Sequence, residues 1–223
     1  MESGEEPFAD PPREADMPAE LEIEDLIGLH DEAVLGEVEI ANANLNGVWA
    51  NGVSFQGCAF ASVDLSGSQL ERVRLTDATL RGCNLANLKA PGSRWTRVAV
   101  DECRLTGLQL RSCELRDVAF RDCRIDLATF ATSRLERVLF ESCALTQTDF
   151  LDAELVAVAF HDCDMTGADV RGAKLRRCEI RRTVLEGLQG IGSLRGSALE
   201  WSQIVEMAGV WAAALGIEAL DRD

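Results

Sequence analysis

Large apolar residues recur at every fifth position from Ile40 to Leu185, with only Ala50 and Ala90 as exceptions. Two residues before each stands a narrow side chain, Ala, Cys, Val, Ser or Thr, and only Leu88 and Leu108 break that rule. The glycines between residues 38 and 187 all fall two places after the large residue, from Gly47 to Gly187. A period of five matches neither the 3.6 of an amphipathic helix nor the 2 of a plain strand. Glycine confined to one phase marks a corner with positive φ, as at the third residue of a type II turn. Pro91 and Gly92 stand in the order such a turn prefers. Each pentad therefore reads as a short extended stretch plus a corner, with one wide and one narrow column of side chains pointing inward.

Segments such as "ANANLNG" (41–47) and "RGCNLAN" (81–87) carry this pattern in a form that resembles the pentapeptide repeat family, over about two thirds of the chain. The resemblance implies an all-β fold, a right-handed quadrilateral β-helix with four pentads to a coil. Four sides predict a second period of twenty, which the sequence contains. Cys83, Cys103, Cys123, Cys143 and Cys163 fall in one file, and Phe60, Phe120, Phe140 and Phe160 in another. On the surface, Arg94, Glu114, Arg134, Glu154 and Lys174 alternate in sign at the same interval, as do Asp77, Arg97, Asp117 and Arg137. Hydrogen-bonded rungs lie about 4.8 Å apart, so such charges are expected to pair from coil to coil. Leu88 is large where its neighbour Ala90 is small, which keeps the core volume constant.

The repeat divides the chain. Residues 1–25 are rich in Pro, Glu and Asp and read as an acidic disordered tail, and 26–37 as a lead-in or cap. Residues 38–187 form the β-helix and 188–223 a C-terminal helical segment. In that segment Ile204, Ala208, Trp211 and Leu215 fall on one helical stripe, with Gly216 as a C-cap. The stripe is expected to pack on the last coil. In some pentapeptide repeat proteins a C-terminal helical segment also joins two subunits, so the resemblance implies a homodimer, with Trp201 among the contacts. Cap and dimer remain open alternatives.

Eight cysteines at intervals of five or its multiples invite a metal site or a disulfide ladder. Parallel side chains spaced along an axis do not converge as a tetrahedral zinc site requires, and stacked Cβ atoms about 4.8 Å apart exceed the reach of a disulfide. The column is read as small hydrophobes filling the core. His30 and His161 are the sole histidines, His161 at a solvated turn, and no nucleophile set, phosphate loop or zinc-protease motif occurs. The reading is a non-enzyme without cofactor or metal.

Charge then selects the partner. The net charge of -16 disfavours direct binding to nucleic acid or to an anionic membrane. Most of it lies in residues 1–37, with 13 acids against one base, whereas 38–187 hold 20 against 19. Within the rod, Glu141, Asp149, Asp152, Glu154, Asp162, Asp164 and Asp169 occur between 138 and 170 without one Lys or Arg, a candidate partner-binding patch. The first twenty residues are acidic where a secretory signal would be basic and apolar, so a cytoplasmic protein with reduced thiols is expected. Bacterial members of the resembled family that protect against quinolones bind DNA gyrase as mimics of duplex DNA. The uninterrupted coil with a helical C-terminal segment is similar to the mycobacterial type. The resemblance thus implies DNA gyrase or topoisomerase IV as partner, and the alternative is a structural or scaffolding interaction module.

Overall fold

The computed structural model describes residues 9–214 and 216–218. It is a four-sided β-solenoid of about nine turns. Parallel ladders join residues twenty apart: Glu114 faces Arg94 below and Arg134 above, and Val118 faces Val98 and Val138. One coil illustrates the plan. Residues 94–96, 98–101, 103–106 and 108–111 form sides one to four, and Arg97, Glu102, Gly107 and Ser112 turn the corners with positive φ.

That conformation recurs at every fifth residue from Glu32 to Gly187, whether or not the residue is glycine. Asn, Asp and Ser tolerate it, but Leu127 (φ 59) and Thr132 (φ 56) do so at a cost of roughly 1–2 kcal/mol each. Hydrogen bonds such as Val48 N–H to Leu45 O (3.3 Å) and Ser133 N–H to Phe130 O (3.1 Å) close the turns after sides three and four. Sides one and two instead run together in eight-residue strands, Arg74–Arg81, Arg94–Asp101, Glu114–Arg121, Arg134–Glu141 and Glu154–His161, bent at the corner residue.

The wide column fills the interior. Phe120, Phe140 and Phe160 stack at 5.0 and 5.1 Å, and Phe130 on Phe150 at 5.2 Å. The two stacks meet edge to face, Phe130 against Phe140 at 76°, a favoured aromatic geometry. Leu88 and Ala90 are both buried, as volume compensation requires.

The narrow column does more than fill space. Its thiols and hydroxyls bridge coils at the corners, where the strand ladder leaves backbone groups without partners. Cys123 Sγ donates to Val100 O (3.3 Å), Cys143 Sγ to Phe120 O (3.4 Å) and Ser133 Oγ to Leu110 O (2.7 Å). In return, Cys83 N–H donates to Cys103 Sγ (3.3 Å) and Cys113 N–H to Ser133 Oγ (2.9 Å). All eight cysteines are free and buried. Burial pushes the thiols of Cys58 and Cys178 up, and that of Cys113 up to about 11, which keeps them protonated donors.

The five-residue phase ends at a short 3-10 turn, Ile191–Leu194. One more rung, Ser197–Leu199, pairs with Cys178–Arg181 at an offset of nineteen residues. Helices α1 (Trp201–Glu206) and α2 (Ala208–Ala214) follow. None of the described helices is long and apolar enough to cross a membrane.

Candidate interaction surface

With the interior filled, the outer faces and the two ends carry whatever recognition the molecule performs. The corner file between sides one and two carries charges paired from coil to coil. Asp77 and Arg97 pair at 2.5 Å, and Asp117 and Arg137 at 2.6 Å, one coil apart. The guanidinium of Arg97 holds the Asp77 carboxyl below its ordinary range. Burial alone would raise Asp117, but hydrogen bonds from Arg137 and from the backbone of Arg13 overcome it and hold that carboxyl low as well. On side one, Arg94 meets Glu114 at 2.8 Å and Arg134 meets Glu154 at 2.7 Å.

The seven acids of the predicted patch are spread round the perimeter and do not gather on one face. Asp149 and Asp169 bridge on side four, where Asp169 also binds Arg171 at 2.6 Å. Glu154 stands on side one between Arg134 and Arg176, Glu141 on side two opposite Arg121, and Asp164 on side three. Asp152 and Asp162 lie at two different corners, Asp162 paired with Arg182 at 2.6 Å. A coil wraps its twenty residues round the whole perimeter, so acids adjacent in sequence diverge. Arginines from neighbouring coils then supply the partners absent from the linear segment. His161, expected at a solvated turn, is instead partly buried, with Nε2 2.8 Å from Glu179 Oε1.

A different acidic element does lie along the rod. Residues 9–25, which composition assigns to a disordered tail, run the length of the solenoid as an extended strap. Asp10 pairs with Arg177 (3.1 Å), Arg13 N–H donates to Asp117 Oδ1 (3.1 Å) and Asp16 N–H to Asp77 Oδ1 (2.9 Å). Pro18 packs over the Cα of Gly57, where a Cβ would meet its ring at 3.1 Å. Glu22–Ile23 then adds a parallel rung to Val38–Ala41. Gly57, Asp77, Asp117 and Arg177 belong to one corner file. Twelve extended residues at about 3.1 Å span the seven intervening coils at about 4.8 Å.

The physical reason for the order is the seat. The outward position of side two is Ala59, Thr79, Ala99, Ala119, Leu139 and Ala159, small or apolar where the other sides carry charge, and Ala119 and Ala159 are buried. This file at intervals of twenty was the available signal in the sequence. The strap turns Ala9, Ala15, Met17 and Leu21 toward the rod and leaves Asp10, Glu14, Asp16, Glu20, Glu22 and Glu24 exposed.

At the other end the predicted stripe holds at Trp211 and is displaced by one residue at Ile204 and Ala208. Gln203 is buried, and Met207 and Trp211 pack against the core, whereas Ile204 and Ala208 face outward. Gln203 Nε2 donates to Thr183 O at 2.7 Å, which rotates α1 by one residue from the apolar stripe. Trp201 is 77% exposed, and Val205 and Val210 are exposed as well. Leu215 lies outside the described residues.

Three solved structures are similar over much of the chain. Full-length QnrB1, a plasmid-mediated fluoroquinolone resistance protein, is 16% identical over 84% of this chain and 100% of its own, with a TM-score of 0.36. HetL, a pentapeptide repeat protein involved in heterocyst differentiation regulation in the cyanobacterium Nostoc sp. strain PCC 7120, is 16% identical over 71% and 85%, with a TM-score of 0.31. Rfr23, a pentapeptide repeat protein of the cyanobacterium Cyanothece 51142, is 16% identical over 55% and 88%, with a TM-score of 0.30. No curated protein matches the sequence. The family profile of the pentapeptide repeat region matches residues 93–156 and 126–189, and that of pentapeptide repeats in eight copies matches 39–77. With its ladder of pentads continuous across these segments, the chain belongs to the pentapeptide repeat family.

Proposed function

We propose that this is a non-enzymatic, cytoplasmic interaction protein whose partner is a type II DNA topoisomerase, DNA gyrase or topoisomerase IV, engaged by an acidic face that stands in for duplex DNA. The observation that carries the proposal is the strap. Exposed carboxylates from Asp10 to Glu24 follow the long axis of a rod whose own charges are largely paired. DNA carries one negative charge per about 3.4 Å of each strand, and a basic groove built for that row is attracted to a linear array of acids. The rod supplies a stiff support, and the strap supplies the sign. The acids of the repeat, including Asp149 and Asp169 on side four, are secondary contributors in this reading.

The test is a gyrase supercoiling reaction with and without a fluoroquinolone. Micromolar protein is expected to inhibit supercoiling or to protect the enzyme from the drug, with an effect that fades as salt rises. Replacing Asp10, Glu14, Asp16 and Glu20 by Asn or Gln should abolish it. If the intact protein changes neither activity nor drug sensitivity, the topoisomerase reading is dropped. The competing reading, a scaffolding module with no topoisomerase activity, is favoured by the near neutrality of the repeat, 20 acids against 19 bases. A homodimer through the C-terminal helices is compatible with both.

A further inference from the structure

The solenoid ends on an incomplete rung. In each lower coil, side three and the start of side four are tied to the next coil by a fixed set of bonds: Met165 N–H donates to Val184 O (2.9 Å), Gly167 N–H to Glu186 O (2.8 Å), and Gln189 N–H to Ala168 O (2.9 Å). Twenty residues later the corresponding groups are Leu185 N–H, Gly187 N–H and Leu188 O. Among the described residues none of the three has a partner, because the chain turns into α1 after completing side two with Ser197–Leu199. Gln203 replaces a single bond of the missing rung through Nε2 to Thr183 O, and its own Oε1, buried, is left without a partner.

These groups line a groove of about 620 Å³ between the last coil and the helices. Its apolar lining is Val184, Leu185, Leu188, Met207 and Val210, and its rim carries Glu186, Glu200 and Glu206 against Arg182 alone. Arg182 is already engaged by Asp162 and Glu200. Neither Glu186 nor Glu206 has an ion pair among the described residues. Unpaired amides and carbonyls in strand register attract another extended backbone, and an acidic rim selects its side chains.

We infer that this lip is a docking site for an extended peptide segment of a partner protein, one with a large apolar residue flanked by Lys or Arg. The segment adds as the missing third side. Its carbonyls accept from Leu185 and Gly187, one of its amides donates to Leu188 O, its apolar residue covers Leu185, and its basic residues meet Glu186 and Glu206. The site is separate from the strap face and does not depend on the topoisomerase reading.

The test uses full-length protein and amide hydrogen exchange at Leu185 and Gly187. The probe is a blocked peptide of about nine residues alternating Lys with Val and Leu, compared with the same peptide carrying Glu for every Lys. Exchange at both amides is expected to slow about tenfold or more with the basic peptide and to stay unchanged with the acidic one. The exposed substitutions Glu186→Lys and Glu206→Lys, made together, should weaken binding by about tenfold or more while leaving the exchange of buried core amides intact. Protection by both peptides alike, or by neither, overturns the proposal. So does protection that grows with protein concentration in the absence of peptide, which would assign the lip to a second copy of the chain.

Discussion

The two ends of the chain invert what their compositions suggest. The N-terminal residues 9–25 carry seven acids, one base and three prolines yet lie against the rod, with Ala9 buried. The C-terminal helices are rich in Ala, Val and Trp yet leave Trp201, Val205 and Val210 in solvent. What decides order here is the match between backbone and seat. The strap finds two carboxylates, Asp77 and Asp117, waiting at its own spacing to accept its amides, and a file of small residues that admits its main chain. The helices find a rod end whose ladder has already been broken by the one-residue slip at Ser197.

The comparison supposes a stiff body between the ends, and the largest effect comes from removing it. Phe140 is fully buried and touches Phe120, Phe130, Phe150 and Phe160. Phe140→Ala should cost about 3–5 kcal/mol in urea denaturation, since stacked neighbours cannot collapse into the space. Unfolding should remain a single transition in which strap and rod amides lose protection together. Separate transitions at the two ends would show that the coils are coupled more weakly than their continuous core implies.

A smaller change addresses the strap alone. Asp117 is 3% exposed, accepts from Arg137 at 2.6 Å, and accepts from the Arg13 amide at 3.1 Å. Asp117→Asn keeps the shape and removes the charge, with an expected loss of about 1.5–3 kcal/mol, the range for hydrogen bonds to charged groups. Most of that loss belongs to the Arg137 pair, but the Arg13 amide, left with a neutral acceptor, should exchange faster, while the Asp16 amide, bonded to Asp77, keeps its protection. Unchanged protection at Arg13 would mean that the Ala file, and not the Asp117 charge, holds this part of the strap.

The same anchors set a pH dependence. Asp77 and Asp117 have folded-state pKa values depressed below the unfolded carboxylate value of about 3.9. Their contribution is therefore fully present above that value and is lost as pH falls through the depressed pKa. The strap should stay seated at pH 7 and pH 5 and release only below about pH 4, as read from the Arg13 and Asp16 amide resonances. Release near pH 6 would implicate a histidine in place of the carboxylates.

The contrast also marks what the sequence discloses. The solenoid was legible because one phase error would turn every large residue outward, so the pattern from Ile40 to Leu185 has to be strict. The positive-φ corners were legible at the glycines and extend unchanged to residues as unsuited as Leu127. The acidic segment 138–170 misled because linear proximity says nothing about perimeter position. Asp149 and Asp164 are fifteen residues apart and on different sides, while Glu154 and Arg134, twenty apart, are in contact. The strap was hidden because its anchors, Asp77 and Asp117, already had visible partners in Arg97 and Arg137. The bonding role of the narrow column was hidden because valine, alanine and cysteine look alike as volume.

The smallest expected effect on folding tests the other end. Trp201 is the largest exposed apolar side chain on the helices, and a residue that touches little in the monomer contributes little to its stability. Trp201→Ala should change the unfolding free energy by no more than about 0.5 kcal/mol, the usual range for a surface site. Association is a separate quantity. If Trp201, Val205 and Val210 meet a second copy, the same substitution removes a central aromatic anchor, which typically costs an interface about 2 kcal/mol or more. Light scattering across a hundredfold range of concentration, about 1 to 100 μM, separates the two cases, because a loss of about 2 kcal/mol moves the midpoint by more than tenfold. A native protein that stays monomeric throughout, with the variant unchanged beside it, would leave the helices as a cap alone. The exposed Trp201 would then be free for a partner other than this chain.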